Sequence, residues 1–158
     1  MKPRIELTHI PPIAYKAVLG LEQYVRGNVD GTILHLVKIR ASQINGCAYC
    51  IDMHTKDARA AGETEQRIYA LDAWRETPFY SDKERAALAL TEAVTLIREG
   101  HVADAIYEEA RSHFNETELM NLTLAIATIN VWNRLAITFR AVPGEYQPGK
   151  SAHTTAVA

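Results

Sequence analysis

Apolar positions recur along this chain at spacings of three and four residues, the period of a helix with one buried face. Tyr15, Val18, Leu19 and Tyr24 mark the first such stripe, and Pro12 suits the opening turn of the helix that carries it. Continued to the end, the pattern predicts seven helices at about 12–26, 32–44, 47–61, 64–75, 82–100, 103–113 and 116–140. Breaks fall at Gly27 to Gly31, at Asn45-Gly46, at Gly62 and at Pro78, residues that end helices. Ser81 with Glu84, and Asn115 with Glu118, have the spacing of capping boxes. No alternating run flanked by hairpin turns is present, so the expected fold class is all-α. The last helix is apolar on most sides and is expected to be central. From Pro143 onward Pro, Gly, Ser and Thr replace the periodicity. The expected organisation is one compact multi-helix domain over 1–142 and a mobile tail over 143–158.

With 158 residues, 47% of them hydrophobic and 23% charged, the chain has the composition of one globular domain with a full core. Seventeen basic against nineteen acidic residues leave a net charge of −2, so no electrostatic case exists for nucleic acid or an anionic membrane as partner. The uncharged run from Leu119 to Asn133 is shorter than the roughly 20 residues of a membrane span. The N-terminal residues lack a secretory apolar stretch, and the expected location is cytoplasmic. Only two cysteines are present. As Cys47-x-x-Cys50 in a chain not expected to be exported, they point to redox chemistry or metal before structural cross-linking.

On a helix advancing about 100° per residue, Cys47, Cys50 and His54 fall on one face, with Asp52, Lys56 and Arg59 roughly opposite. The thiols therefore point inward or toward a partner subunit, and Ala58 and Ala61 leave room beside them. Helical side chains lean toward the N-terminus, so His54 leans back over Cys50. An imidazole there can take the thiol proton and leave the nucleophilic thiolate. The helix N-terminus favours a thiolate at Cys47 instead, and spacing alone does not choose between the two. Zinc is the rival chemistry, with Cys47, Cys50, His54 and His35 as four candidate ligands. His9, His101, His113 and His153 lie near helix or chain ends and read as surface residues, and Trp74 and Trp132 as core or interface aromatics.

The stretch Lys38-Ile39-Arg40-Ala41-Ser42-Gln43-Ile44-Asn45-Gly46-Cys47-Ala48-Tyr49-Cys50-Ile51-Asp52-Met53-His54 resembles the signature of the alkyl hydroperoxidase D-like branch of the carboxymuconolactone decarboxylase family. The similarity continues through Ala61 to Arg67, Ser81 to Thr91 and Ile129 to Arg134. The resemblance implies an all-helical subunit that associates into dimers, trimers or hexamers, and a cysteine peroxidase acting on organic hydroperoxides or hydrogen peroxide. It implies Cys50 as peroxidatic cysteine, Cys47 as resolving cysteine and His54 as relay histidine. No bound cofactor is implied; an external dithiol of lipoyl type, on a reductant protein or lipoyl carrier, would restore the thiols. His35 stands where better-studied members have a relay glutamate, and Tyr49 where they have a histidine, so the resemblance implies a weaker, more pH-sensitive relay with His35 in it. Lactone decarboxylation is the lesser inheritance, because decarboxylases of the family generally lack the cysteine pair. General dithiol–disulfide exchange and a zinc-stabilised structural or regulatory protein are the alternatives.

Overall fold

The computed structural model describes residues 1–149, and among them every regular element is helical. Helix α1 (Pro12–Asn28) starts on a proline, and α2 (Gly31–Asn45) is capped by Asp30, which accepts from the Ile33 amide at 3.1 Å. The Gly27-Asn28 pair does not end α1; the break comes at Val29 and Asp30, where the backbone turns extended. Next come α3 (Ala48–Ala60), α4 (Glu65–Tyr69), α5 (Asp82–Thr95), α6 (Asp104–His113) and α7 (Glu116–Phe139). Both expected capping boxes form, Ser81 with Glu84 at α5 and Asn115 with Glu118 at α7.

Two expected helices are shorter than their apolar pattern. The segment 64–75 divides into α4 and a 3-10 helix, Leu71–Glu76, with Ala73 off helical geometry. Leu71 and Trp74, both on the 3-10 segment, lie in the core with Leu36, Ile39 and Leu88. Helix α5 stops at Thr95, and a 3-10 turn, Ile97–Glu99, carries the chain to Gly100.

Helix α7 is central, as its composition suggests, and packs against α1, α2, α3, α5 and α6. By length and hydropathy it would pass for a membrane span, yet its apolarity serves the core: Leu122 and Ile126 meet Ile33, Val37 and Leu90. Its asparagines are also accommodated. Asn45 at the end of α2 donates to Asn130 Oδ1 (2.9 Å) and Asn133 Oδ1 (2.8 Å), and Asn133 donates to Ser42 Oγ (3.0 Å). Buried amides are costly unless bonded, so this network ties the end of α2 to α7 in one register. The cysteine turn follows directly.

Candidate active site

Gly46 ends α2 in the left-handed region at φ 67°, a conformation that glycine adopts without Cβ strain. The Cys47 amide donates back to Ser42 O at 2.9 Å, and the chain reverses at once into α3. Cys47 is therefore the N-cap of α3 and not its first helical residue; its sulfur accepts from the Cys50 amide at 3.3 Å. Cys47 and Cys50 are joined by a disulfide with Cα atoms 5.3 Å apart. Both are about 1% exposed, packed with Ala136 of α7 and flanked by Tyr49 and Ala141. The inward-facing arc read from the spacing is present: His54, one turn on, is 2% exposed.

His54 Nδ1 lies 3.7 Å from Asp57 Oδ2, while Nε2 is buried without a hydrogen-bond partner. A carboxylate facing Nδ1 favours the tautomer with the proton there, leaving Nε2 as the basic nitrogen. Burial pushes the imidazole pKa down and Lys38 adds to this, against the opposing pull of Asp57 and Glu22. The neutral ring is thus favoured, as a proton acceptor requires.

Asp57 is in turn held by the Tyr146 hydroxyl, which donates to Oδ1 at 2.6 Å. Burial opposes ionisation of Asp57, but His54 and Tyr146 outweigh it and hold the carboxyl below its usual range. Tyr146 is pushed up to about 12 by burial and by Asp57. Its segment is tied to α3: Lys56 donates to Gly144 O and Tyr146 O, both at 3.1 Å, and Gly144 N donates to Asp52 Oδ2 at 3.0 Å. Asp52 and Lys56, expected to face water, are half-buried by this chain. Residues 144–146 therefore pack on the domain; of the tail expected over 143–158, residues 150–158, with His153, lie outside the described residues.

His35 is half-buried. It lines a cleft of about 450 Å³ with Thr32, Ala58, Ala61, Gly62 and Arg67, on the side where small residues were expected to leave space. Its Nδ1 is buried and unpartnered. Burial and then Lys38 push its pKa down.

Three residues escape the sequence reading. Glu22 and Lys38 form a buried ion pair, with Arg26 Nε also donating to Glu22 Oε1 at 2.7 Å, and Asp57 backs His54. Glu22 did carry a signal, since it continues the apolar stripe of Val18 and Leu19 at helical spacing, where a carboxylate is out of place. Among the described residues no group of three or more His, Cys, Asp or Glu side chains is placed to hold a metal ion. The four candidate zinc ligands are thus not assembled as a metal site.

His54, which is buried, and His35, which is half-buried, predict an acid-side loss of stability. Both have folded-state pKa values below the ordinary value of about 6.5, so below that pH the unfolded chain binds protons that the fold excludes. Their contribution is complete above about pH 6.5 and falls as pH drops toward the folded-state values, by at most about 1.4 kcal/mol per pH unit for His54. Urea midpoints of the oxidised protein are expected to fall between about pH 7.5 and about pH 5.5, a window set by the histidine pKa. The drop should be smaller in His54→Gln; an equal drop in both would remove His54 as its source.

The model of the carboxymuconolactone decarboxylase family matches residues 12–93. The uncharacterized protein YdfG of Bacillus subtilis is 48% identical over 138 residues, covering 87% of this chain and 94% of its own length. A solved protein of unknown function from Agrobacterium tumefaciens, provisionally assigned to antioxidant defence as AhpD, is 44% identical. It superposes with a TM-score of 0.88 over 92% of this chain and 100% of its own. The debrominase Bmp8 has a TM-score of 0.74 at 19% identity, over 85% of this chain and 73% of its own; that likeness is one of fold.

Proposed function

The chain belongs to the carboxymuconolactone decarboxylase family, in its alkyl hydroperoxidase D-like branch, and from that premise we propose that it is a cysteine peroxidase reducing organic hydroperoxides or hydrogen peroxide. The observation that carries the proposal is the Cys47–Cys50 pair at the head of α3, buried with His54 one turn away. In the reduced protein His54 takes the Cys50 proton. The thiolate attacks a peroxide oxygen, the O–O bond breaks, and Cys50 becomes a sulfenic acid. The departing alkoxide or hydroxide takes the proton from His54 and leaves as alcohol or water. Cys47 then attacks the Cys50 sulfur as a thiolate, the S–O bond breaks, and hydroxide leaves as water with the proton from Cys47. An external dithiol supplies two electrons and two protons by exchange. A lipoyl-type dithiol on a carrier protein is the proposed source, and the cycle needs no resident cofactor. His35, at the cleft, is proposed to pass protons toward solvent. A homo-oligomer is proposed as well, supported by the exposed Ile13 of α1 and Val131 and Ile137 of α7.

General dithiol–disulfide exchange is the second reading, because the same disulfide would serve it. The reduced protein, treated with tert-butyl hydroperoxide, is expected to lose both thiols as tert-butanol appears, and dihydrolipoamide is expected to restore them. Thiols that survive the peroxide but equilibrate with oxidised lipoamide would favour simple exchange and overturn the peroxidase.

A further inference from the structure

A disulfide is reduced when a thiolate attacks one of its sulfurs in line with the S–S bond, so a sulfur must be open to the attacker. Neither is open in this structure, since Cys47 and Cys50 are both about 1% exposed. A dithiol therefore reaches the pair only after part of its cover has moved. The residues packed on the two cysteines are Ala136 of α7, Tyr49 of α3 and Ala141. Of these, only Ala141 lies outside the helices.

Ala141 begins a strap, residues 141–146, that runs onto α3. None of its residues is fully buried, and its hold on α3 is polar. Gly144 N donates to Asp52 Oδ2 at 3.0 Å, Lys56 Nζ donates to Gly144 O and Tyr146 O at 3.1 Å, and the Tyr146 hydroxyl donates to Asp57 Oδ1 at 2.6 Å. Segments with few buried apolar contacts open locally, well below the free energy of global unfolding. The upstream end of the strap is a natural pivot. Arg140 caps α7 at φ 56°, in the left-handed region that is unfavourable for a residue with a Cβ. The helix before it is fixed by Arg4, whose amide donates to Phe139 O at 2.9 Å and whose guanidinium donates to Thr138 O at 3.0 Å. Return of Arg140 to an extended conformation relieves that backbone and carries Ala141 away, with loss of the 2.9 Å bond from Ala141 N to Ala136 O.

We propose that residues 141–146 are a strap closed over the Cys47–Cys50 disulfide, latched by Lys56, which swings away about Arg140 to admit the reducing dithiol. The inference rests on the reading that an external dithiol restores the two thiols, which peroxidase and simple exchange share. With the strap open, one thiolate of the dithiol attacks a sulfur of the pair, the Cys47–Cys50 bond breaks and a mixed disulfide forms. The second thiol of the reductant then displaces the protein sulfur and leaves within a cyclic disulfide. The two electrons and two protons of the dithiol end on Cys47 and Cys50. Lys56 suits the latch because an ammonium has three donors: Asp52 takes one at 2.9 Å, and the two strap carbonyls take the others.

Two substitutions loosen the strap from opposite sides and touch neither the thiols nor His54. Gly144 has φ 117°, and a Cβ there would meet no atom within 4 Å, so Gly144→Ala disfavours the closed backbone by conformation alone. Lys56→Met removes the latch and keeps an apolar stem. Oxidised full-length protein is mixed with excess dithiothreitol, and the appearance of thiols is timed in increasing urea below the unfolding transition. Each variant is expected to speed reduction about tenfold, the scale set by one strained backbone position. The rate should depend on urea far less than global unfolding does, because an opening strap exposes little surface. Hydrogen exchange of the Gly144 amide should quicken in Lys56→Met by the same factor as reduction. Unchanged reduction rates in both folded variants overturn the proposal. So does reduction with the urea dependence of global unfolding, because the disulfide is then reached only by unfolding. No peroxide enters the experiment, so failure of the peroxidase reading and failure of the strap are separately legible.

Discussion

Cys50→Ser is expected to lower peroxide turnover at least about a thousandfold, equivalent to about 4 kcal/mol of barrier, whereas Cys47→Ser should complete the first chemical step and stop there. The reason is positional. Cys50 lies in the first turn of α3, one turn before His54 on the same buried face, and His54 carries the unpartnered basic nitrogen. Cys47 sits outside the helix as its cap, with its sulfur engaged by the Cys50 amide. Helix-terminus electrostatics alone favours a thiolate at Cys47, so the two variants weigh proton acceptor against dipole. After one equivalent of peroxide, Cys47→Ser should carry a sulfenic acid on Cys50, trapped by dimedone and located by mass spectrometry. Oxidation found on Cys47 in Cys50→Ser, with none on Cys50 in Cys47→Ser, would reverse the roles.

His54→Gln should show the second large effect, a fall of about 10²- to 10⁴-fold in Cys50 oxidation near neutral pH, the range for loss of a positioned general base. The deficit should shrink as pH rises toward about 8.5, where a cysteine ionises without help. Stopped-flow oxidation in the Cys47→Ser background across that range reads both features. A deficit that stays constant with pH would reduce His54 to a packing element. Glutamine retains much of the volume and a buried polar tip, so this variant separates loss of a base from loss of core.

Much of the architecture is written in local sequence. Capping boxes at Ser81 and Asn115 close within three residues, and Gly46 takes a backbone conformation that its lack of Cβ makes inexpensive. The common face of Cys47, Cys50 and His54 follows from the helical repeat alone. Where local pattern and core demand diverge, tertiary packing wins. The region 64–75 reads as one helix, yet it divides into α4 and a 3-10 segment that sets Ile68, Leu71 and Trp74 in the core.

The environment of the candidate site belongs to the tertiary structure. Helical phase told that His54 faces inward; it did not tell that Asp57 would lie against one ring nitrogen or that Tyr146 would reach Asp57 from 89 residues away. Glu22 and Lys38 meet across 16 residues, and Asn45 meets Asn133 across 88. Each of these charges or amides, read alone, is an ordinary polar residue whose natural place is water. Removal from water is what gives them their chemistry, because burial lowers the histidine pKa values and makes a partnerless atom costly. Most helices, the cysteine turn and the face that carries it follow from neighbours within one or two turns. Only the packing of α1, α2, α3 and α7 decided which polar groups share the interior behind that face, since that depends on which distant segments come together.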